Sequence, residues 1–310
     1  MITMYRSTPN GVIAIQEPVE GCWIHMTSPD AEEIARIETA YAIPREFLTY
    51  PLDVDETART EKEEGVALVI LRVPRHEGPG SDIPFTTVPL GIILTERAVV
   101  TVSAQESEVL RGMSNGKLRG ISTAKRNRFL LHLFLLTAQQ YLVDLRAINK
   151  AVDVLEDNLQ ASLRNREVLD LLKYQKSLTY FTTALKANQL MMDRLQKGQM
   201  FKMFPDDEDL LEDALTEIGQ AIEMTNISSG ILSQMMDAFA SIISNNLNAV
   251  MKFLASVTII LALPSLVASI YGMNVALPLG EHPFAFLMVL GFSFVVALLV
   301  VLIFWRRDWL

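Results

Sequence analysis

The sequence predicts an α+β domain that is followed by long helices and ends in a hairpin of two membrane-spanning helices. Short β-branched runs dominate the first 104 residues, and apolar residues at three- and four-residue steps follow as far as residue 250. Two uncharged apolar runs, 253–270 and 283–305, come last. Strands followed by helices are typical of α+β proteins, and about 20 apolar residues cross the hydrocarbon core of a bilayer.

The first domain is predicted over residues 1–120. A helix should begin at Ser28 as N-cap, with Pro29 in its first turn, and run to about Tyr41. Helical patterns return from about Gln105. Runs of β-branched and apolar residues predict five strands, at 11–17, 22–28, 65–73, 88–94 and 98–104.

Long helices are predicted over residues 121–205. The stretch 122–200 lacks proline and carries apolar residues at helical spacing, which indicates two helices at 129–159 and 163–196. Pro205 marks the break before the next helix.

A stalk helix is predicted over residues 206–250, capped by Asp206. Its apolar or small residues keep a 3.5-residue period, as in a coiled-coil seam. With no proline before Pro264, one helix should run from the cytoplasm into the membrane. The seam would pack against other subunits, against 122–200, or against both on different faces. Its positions are Leu211, Leu215, Ile218, Ile222, Thr225, Ser229, Leu232, Met236, Phe239, Ile243, Asn246 and Val250.

The membrane hairpin is predicted as a first span at 251–271, a loop at 272–283, a second span at 284–305 and a basic tail at 306–310. Lys252 precedes the first span and Arg306 and Arg307 follow the second, whereas the loop has no basic residue. The positive-inside rule therefore predicts that both termini are cytoplasmic and that the loop is outside. Two buried core helices are disfavoured because the second run is too long and too uniformly apolar.

Composition narrows the class of function. The 310 residues carry a net charge of −9, and this sign argues against nucleic-acid binding. The single cysteine, Cys22, excludes an intrachain disulfide and fits a reducing cytoplasm. The four histidines are scattered, and no zinc-protease motif, phosphate-binding Gly-rich loop or hydrolase nucleophile motif occurs. An enzyme and an ATP-driven pump are therefore both disfavoured.

The first span has one small, polar or flexible face. A ring of identical helices could enclose a path along such a face, but small residues also mark ordinary helix packing in membranes. The span alone leaves these two interpretations equal. The members of this face are Asn248, Met251, Ala255, Thr258, Ala262, Ser265 and Ser269.

The stretch between Met203 and Met251 holds nine acids and no Lys or Arg. Around a ring these acids would form a negative collar that attracts hard cations. Alternatively, they pair with basic residues of the preceding helices, such as Arg164, Arg166, Lys173 and Lys176. The acids are Asp206, Asp207, Glu208, Asp209, Glu212, Asp213, Glu217, Glu223 and Asp237.

The segment 244–275 resembles the CorA family of magnesium transporters. The resemblance depends on Tyr271-Gly272-Met273-Asn274 at the outer end of the first span, together with Asn248, Met251 and Lys252 upstream. A following Leu-Pro at 277–278, a second span and the terminal Trp-Arg-Arg-Asp-Trp-Leu strengthen it. The loop after the motif departs from the family because it lacks the usual aromatic residue and Met-Pro-Glu.

The resemblance implies a CorA-like funnel, a homopentamer in the bacterial cytoplasmic (inner) membrane, whose first spans line a magnesium pore. Gly272, Met273 and Asn274 would form the outer selectivity ring, Asn248 a polar ring at the inner mouth and Met251 part of a hydrophobic gate.

It also implies a cytoplasmic regulatory metal site, for which Asp213 and its neighbour Glu212 are the candidates, with Glu77 or Asp82 as conceivable partners. The expected partners are further copies of the chain, the lipid bilayer and divalent cations. Magnesium is expected as transported and regulatory ion, with no other cofactor. The alternatives are a zinc, cobalt or nickel transporter of the same family, and a membrane-anchored scaffold.

Overall fold

The computed structural model describes residues 1–9, 11–78, 80–114, 122–161, 165–198, 204–275, 282–307 and 309. They form two compact units, Met1–Gln234 and Met235–Leu310. The first unit holds a sheet with helices on both faces, and the second holds the end of one long helix and the final helix.

A seven-stranded sheet organises the first unit, in the order β2-β1-β3-β7-β6-β5-β4. Every neighbouring pair is antiparallel except β3 and β7, which are parallel. The central strands β5, β6 and β7 are almost wholly buried, as their continuous apolar runs predict. The strands are β1 Ile2–Thr8, β2 Gly11–Ile15, β3 Cys22–Thr27, β4 Arg59–Glu63, β5 Val66–His76, β6 Phe85–Leu94 and β7 Ala98–Ser103.

The five predicted strands are present, and β1 and β4 are two that the sequence pattern missed. The sequence of β4, Arg-Thr-Glu-Lys-Glu, carries no apolar residue because it is an edge strand with partly exposed side chains. It pairs with β5 through a tight turn in which Glu64 and Gly65 both have positive φ, 48° and 86°. Such a two-residue turn fits the twist of a hairpin, so the turn and the pairing place β4.

Helix α1, Ala31–Tyr41, begins two residues later than predicted. Its N-cap is Asp30, whose Oδ1 accepts from the backbone N–H of Glu33 at 2.8 Å, while the Glu33 side chain accepts from the Asp30 N–H. The expected cap, Ser28, instead donates its backbone N–H to the carbonyl of Ser103 and so continues the sheet. The prediction of Ser28 as N-cap was wrong because a complete capping box forms at Asp30.

Short helices cover one face of the sheet. Helix α2, Arg45–Thr49, and the 3₁₀ turn Tyr50–Leu52 join α1 there. Their buried side chains, among them Ile37 and Phe47, pack with the strands in one apolar cluster.

The other face of the sheet packs on α3, Glu108–Ser114, α4, Arg126–Ala161, and α5, Asn165–Lys197. The observed bounds of α4 and α5 confirm the two long helices predicted at 129–159 and 163–196. A second apolar cluster, which includes Trp23 and Phe129, fills this layer.

Arg72 on β5 joins the sheet to both long helices. The pairing of β4 with β5 stops at Arg59 and Ile70, two residues short of Arg72. Side chains of the long helices therefore contact the Arg72 peptide groups. Asn188 of α5 accepts from the Arg72 N–H at 2.9 Å and donates to its carbonyl at 2.7 Å. Tyr141 of α4 donates to the same carbonyl at 3.0 Å.

Helix α6, Pro205–Tyr271, is continuous, as the sequence predicted, and it passes through Pro264 without ending. Its first part packs inside the first unit, where Leu211 and Ile218 join the cluster that contains Leu195 of α5. The seam therefore packs within the chain at its beginning. Further along, Ile243 and Val250 are exposed in the single chain.

The second unit consists of the end of α6 and helix α7, Ala285–Arg306. Both α6 and α7 contain a segment that is long and apolar enough to cross a membrane. Neither segment is buried inside the chain, which argues against the alternative of two core helices.

Candidate ion pathway

One side of α6 packs against α7 in the second unit. Ser256 is fully buried there, and Val257, Ile260, Pro264 and Val267 are only partly exposed. At about 100° of rotation per residue these positions share one side of the helix. Pro264 faces α7 directly, across a cleft that is lined by Leu290, Gly291, Ser293 and Ala297.

The small, polar or flexible face predicted for the first span, the α6 stripe, lies on the opposite side of the helix. Its members are Asn248, Met251, Ala255, Thr258, Ala262, Ser265 and Ser269. At the same rotation, Met251, Thr258 and Ser265 fall about half a turn away from Ser256 and Ile260. All seven members of the stripe are exposed in the single chain. Packing against α7 therefore does not explain why the residues of this side are small or polar.

Two hydroxyl groups of the stripe donate their protons within the helix and can accept hydrogen bonds on its exposed side. Thr258 Oγ1 donates to the carbonyl of Leu254 at 2.8 Å, and Ser265 Oγ donates to that of Leu261 at 3.3 Å. Since each proton is used within the helix, the oxygen lone pairs remain available on the exposed side. Such oxygens accept hydrogen bonds from the water shell of a cation.

The C-terminal end of the stripe coincides with the C-terminus of α6. The Gly272 N–H donates to the Ala268 carbonyl at 2.9 Å, and the Met273 N–H donates to the Ile270 carbonyl at 3.2 Å, so the chain makes a tight last turn. Asn274 follows and is exposed. The last turn carries no basic residue, and a helix C-terminus bears partial negative charge that favours cations. Residues 276–281 of the predicted loop, including Leu277, Pro278 and Glu281, lie outside the described residues.

The N-terminal end of the stripe begins at Asn248 and Met251, which are both exposed. The side chain of a methionine is a flexible apolar group that adapts to its surroundings. Asn248 lies nearly one turn before it, on the same side of α6.

Two of the acids at the start of α6 form ion pairs with a preceding helix. Asp206 and Asp207 form ion pairs with Arg128 of α4 at 3.1 Å and 3.0 Å, and Asp207 is 5% exposed. Arg128 was not among the basic partners expected from the sequence, although the Arg-Asn-Arg run at 126–128 could have suggested it. Of those expected, Lys173 pairs with Asp170 on its own helix at 2.9 Å.

The expected partners Arg164 and the Arg166 side chain lie outside the described residues. The acids that remain exposed along α6 are Glu208, Asp209, Glu212, Asp213, Glu223 and Asp237.

The candidate regulatory acids Asp213 and Glu212 lie on the exposed surface of α6. Of their two conceivable partners, Glu77 forms an ion pair with Arg75 at 3.1 Å, and Asp82 is exposed. Within the described part of a single chain, no three His, Cys, Asp or Glu side chains gather in a way that could hold a metal ion.

Comparison with known proteins shows which family shares this architecture. Residues 20–307 match the family described as CorA-like Mg²⁺ transporter protein. The cobalt/magnesium transport protein CorA of Methanocaldococcus jannaschii is 30% identical over 299 residues, which cover 93% of this chain and 91% of that protein. The protein of the same name from Thermotoga maritima is 24% identical over 96% of this chain and 86% of its own length.

The solved structures agree with the sequence comparison. The complete structure of the CorA magnesium transporter from M. jannaschii superposes with a TM-score of 0.87 at 26% identity, covering 100% of this chain and 99% of that one. The full-length CmaX protein shares the fold at 17% identity, with a TM-score of 0.72 over 99% of this chain and 97% of its own. The α/β domain, the long helices and the two C-terminal apolar helices are thus common to this chain and its relatives, and the chain belongs to the CorA-like Mg²⁺ transporter family.

Proposed function

We propose that this chain is one subunit of a homopentameric magnesium channel of the bacterial inner membrane, with both termini in the cytoplasm. Membership of the family makes it a transporter of divalent cations. The relatives from M. jannaschii and T. maritima are named cobalt/magnesium transport proteins, so Co²⁺ is the second ion that the pore should admit.

The observation that carries this proposal is the position of the α6 stripe. It faces away from α7, is exposed along its whole length and ends at Gly272-Met273-Asn274. One such side cannot enclose a path, but copies of it around a symmetry axis can. In the ring α7 would be the outer, lipid-facing helix, in agreement with its almost wholly apolar surface.

A neutral outer ring suits magnesium. Mg²⁺ loses its first water shell reluctantly, so the amide of Asn274 and backbone oxygens near it would bind the hydrated ion. A ring of carboxylates would bind more tightly and delay release, while conduction needs binding weak enough for the ion to leave. The described pore-facing residues of α6 include no Cys or His, and this favours magnesium over softer metals such as zinc.

Regulation would come from the cytoplasmic unit. Asp213 and Glu212 are exposed on α6, and in the described part of the single chain they belong to no group of three or more acidic, His or Cys side chains that could hold a metal ion. In a ring, an acid from an adjacent subunit could complete a site for Mg²⁺. Binding there when the ion is plentiful would hold the pore closed at Met251.

Cysteine scanning tests directly whether the α6 stripe faces a water-filled path. Cys22 is the single cysteine and is 0% exposed, so Cys22→Ala gives a background without reactive thiols. On it, Thr258→Cys, Ala262→Cys and Ser265→Cys should react with a charged, water-soluble thiol reagent in reconstituted vesicles, and the reaction should block Mg²⁺ uptake.

The matched controls are Ile260→Cys and Val267→Cys, on the side of α6 that packs against α7. They should react far more slowly and should leave uptake unchanged. Equal labelling of the two sides, or no labelling of the stripe, would contradict a water-filled path.

Competition between metal ions distinguishes the magnesium channel from a zinc transporter and from a membrane-anchored scaffold. Uptake of ²⁸Mg²⁺ in the presence of Co²⁺, Ni²⁺ or Zn²⁺ ranks the ions, and a zinc transporter would show stronger inhibition by Zn²⁺ than by Co²⁺. A membrane-anchored scaffold would show no protein-dependent uptake of any of them.

A further inference from the structure

A cleft of about 690 Å³ lies at the β2 edge of the sheet, between the strands β1 and β2, the loop that follows β2, and helix α1. Sites for small molecules usually measure about 300–1,000 Å³. No lining residue of the cleft belongs to α6, so a ligand bound there would be additional to the transported ion.

The loop that forms one wall of the cleft is fixed in position. The Cys22 N–H donates to the Val19 carbonyl at 3.1 Å. The Gly21 N–H donates to the carbonyl of Arg97, in the turn between β6 and β7, at 2.8 Å. Gly21 has a φ of 74°, and a Cβ added to it would lie 2.9 Å from the Cβ of Ala124. The backbone of this wall is therefore held from both sides, and the cleft exists before any ligand binds.

The floor of the cleft is an apolar surface that the helix leaves partly uncovered. Its residues are Ile2, Met4 and Ile15, of which Met4 and Ile15 stand opposite each other in the pairing of β1 with β2. All three pack against the buried cluster of this face but stay partly exposed, as does Tyr41 at the end of α1. Such a surface beside an aromatic ring suits a flat ring system.

Two arginines line the cleft without an acidic partner. Arg36 of α1 and Arg97 are exposed, and neither lies within 4 Å of a carboxylate of a described residue. Burial raises the pKa of Tyr41, and the charge of Arg97 opposes that rise, so Arg97 lies near the Tyr41 hydroxyl. In a chain with a net charge of −9, two uncommitted guanidinium groups in one cleft favour an anionic ligand.

Glu20 is the one acid among the described residues that line the cleft. It is exposed and forms no ion pair with a described residue. A carboxylate repels a phosphate but accepts hydrogen bonds from the hydroxyls of a ribose, as in dinucleotide-binding folds. The cleft thus offers groups for a phosphate, a sugar and an apolar ring.

We propose that this cleft binds a nucleoside phosphate, with its phosphate groups at Arg36 and Arg97, its sugar hydroxyls at Glu20 and its base on the apolar floor. The planar guanidinium group can donate two parallel hydrogen bonds to one phosphate. The base would cover the apolar side chains that α1 leaves exposed, which adds the free energy of burying them.

Binding of radiolabelled ATP to the full-length protein in detergent, measured by equilibrium dialysis, tests this site. EDTA in the buffer removes divalent cations, so that retention of ATP through a bound metal does not contribute. We expect saturable binding of one ATP per chain. Pyrophosphate and adenosine, which each carry one part of the ligand, should compete at least tenfold more weakly than ATP. An azido-ATP photoprobe should label peptides within 2–20 and 36–41.

Two variants and one control decide the outcome. Arg36→Ala and Arg97→Ala remove exposed side chains, so both should keep the melting temperature of the wild type, and each should weaken ATP binding at least tenfold. Arg194→Ala, which removes an exposed arginine of α5 outside the cleft, should bind ATP as the wild type does. Absence of saturable binding up to millimolar ATP, or unchanged affinity in both cleft variants, would overturn the proposal. Pyrophosphate that competes as well as ATP would overturn the position given to the base.

Discussion

Asn274 is the residue on which the proposed selectivity depends most directly. It follows the last turn of α6, is exposed and stands next to the partial negative charge of a helix C-terminus. Its amide oxygen can accept hydrogen bonds from the waters around Mg²⁺ without removing them. No comparable amide stands further along the stripe until Asn248.

Substitution of Asn274 by Ala should therefore abolish selective uptake. We expect Mg²⁺ influx into vesicles to fall at least tenfold, because the alanine methyl cannot bind the hydrated ion, while the size-exclusion profile stays that of the wild type. Asn226→Ala, an exposed amide on the part of α6 that belongs to the first unit, is the matched control. Unchanged influx in Asn274→Ala would contradict the selectivity ring, and absence of protein-dependent influx in the wild type as well would favour the scaffold alternative.

His25 gives the first unit a defined response to acid. Its ring is held by Thr101 and Thr27 at 3.1 Å and 2.8 Å, and burial lowers its pKa from 6.5 to about 4. Between these values the unfolded chain binds a proton that the folded chain does not. Stability contributed by neutral His25 is therefore complete above pH 6.5 and is lost as the pH falls towards 4.

The wild type should accordingly lose up to about 3 kcal/mol more stability than His25→Gln between pH 7 and pH 4. The measurement is the melting temperature of the purified protein at each pH, with His76→Gln, which changes an exposed histidine, as control. Parallel pH curves for the wild type and His25→Gln would show that His25 titrates normally.

Close packing between elements fixes how the sheet meets its covering helices. Gly91 of β6 lies under Pro51 of the 3₁₀ turn, so close that an added Cβ would overlap the proline ring. On the other face, Arg128 joins the start of α4 to the start of α6. These contacts hold together elements that lie far apart in sequence.

Gly91→Ala should destabilise the protein by about 1–3 kcal/mol, because the new methyl forces Pro51 away from the sheet. Gly112→Ala in α3 meets no atom within 4 Å and should be neutral or slightly stabilising. Thermal melting of the two variants side by side checks the difference. A neutral Gly91→Ala would mean that the 3₁₀ turn moves without cost.

At the scale of the whole molecule, the contacts within a single chain do not explain the exposed surface of the C-terminal part of α6. Its stripe faces away from α7, and apolar residues such as Leu247 and Val250 are exposed in the single chain. Assembly around an axis would cover these apolar residues and leave the polar positions facing a common channel. The membrane potential could then act on an ion along that channel.

Uptake should follow the membrane potential without ATP. Two charges that move inward gain about 4.6 kcal/mol per 100 mV, enough to support an accumulation of roughly a thousandfold. We expect vesicles with a potassium-diffusion potential, negative inside, to concentrate Mg²⁺ and to stop when the potential is collapsed. Uptake that continues at zero potential but needs a proton gradient would contradict a passive channel.

The sequence by itself determined the features that depend on local composition and period. The hairpin follows from two uncharged runs, α6 from an uninterrupted helical pattern, the buried strands from β-branched residues, and the family from the motif at 271–274. Tertiary structure alone decided the rest, because it depends on residues brought together from distant positions. It paired the polar strand β4 with β5, moved the cap of α1 from Ser28 to Asp30, gave Asp206 and Asp207 a partner 78 and 79 residues away, and turned the α6 stripe away from α7. No local pattern encodes which side of a helix its neighbour will cover, since that choice is made only when the elements pack.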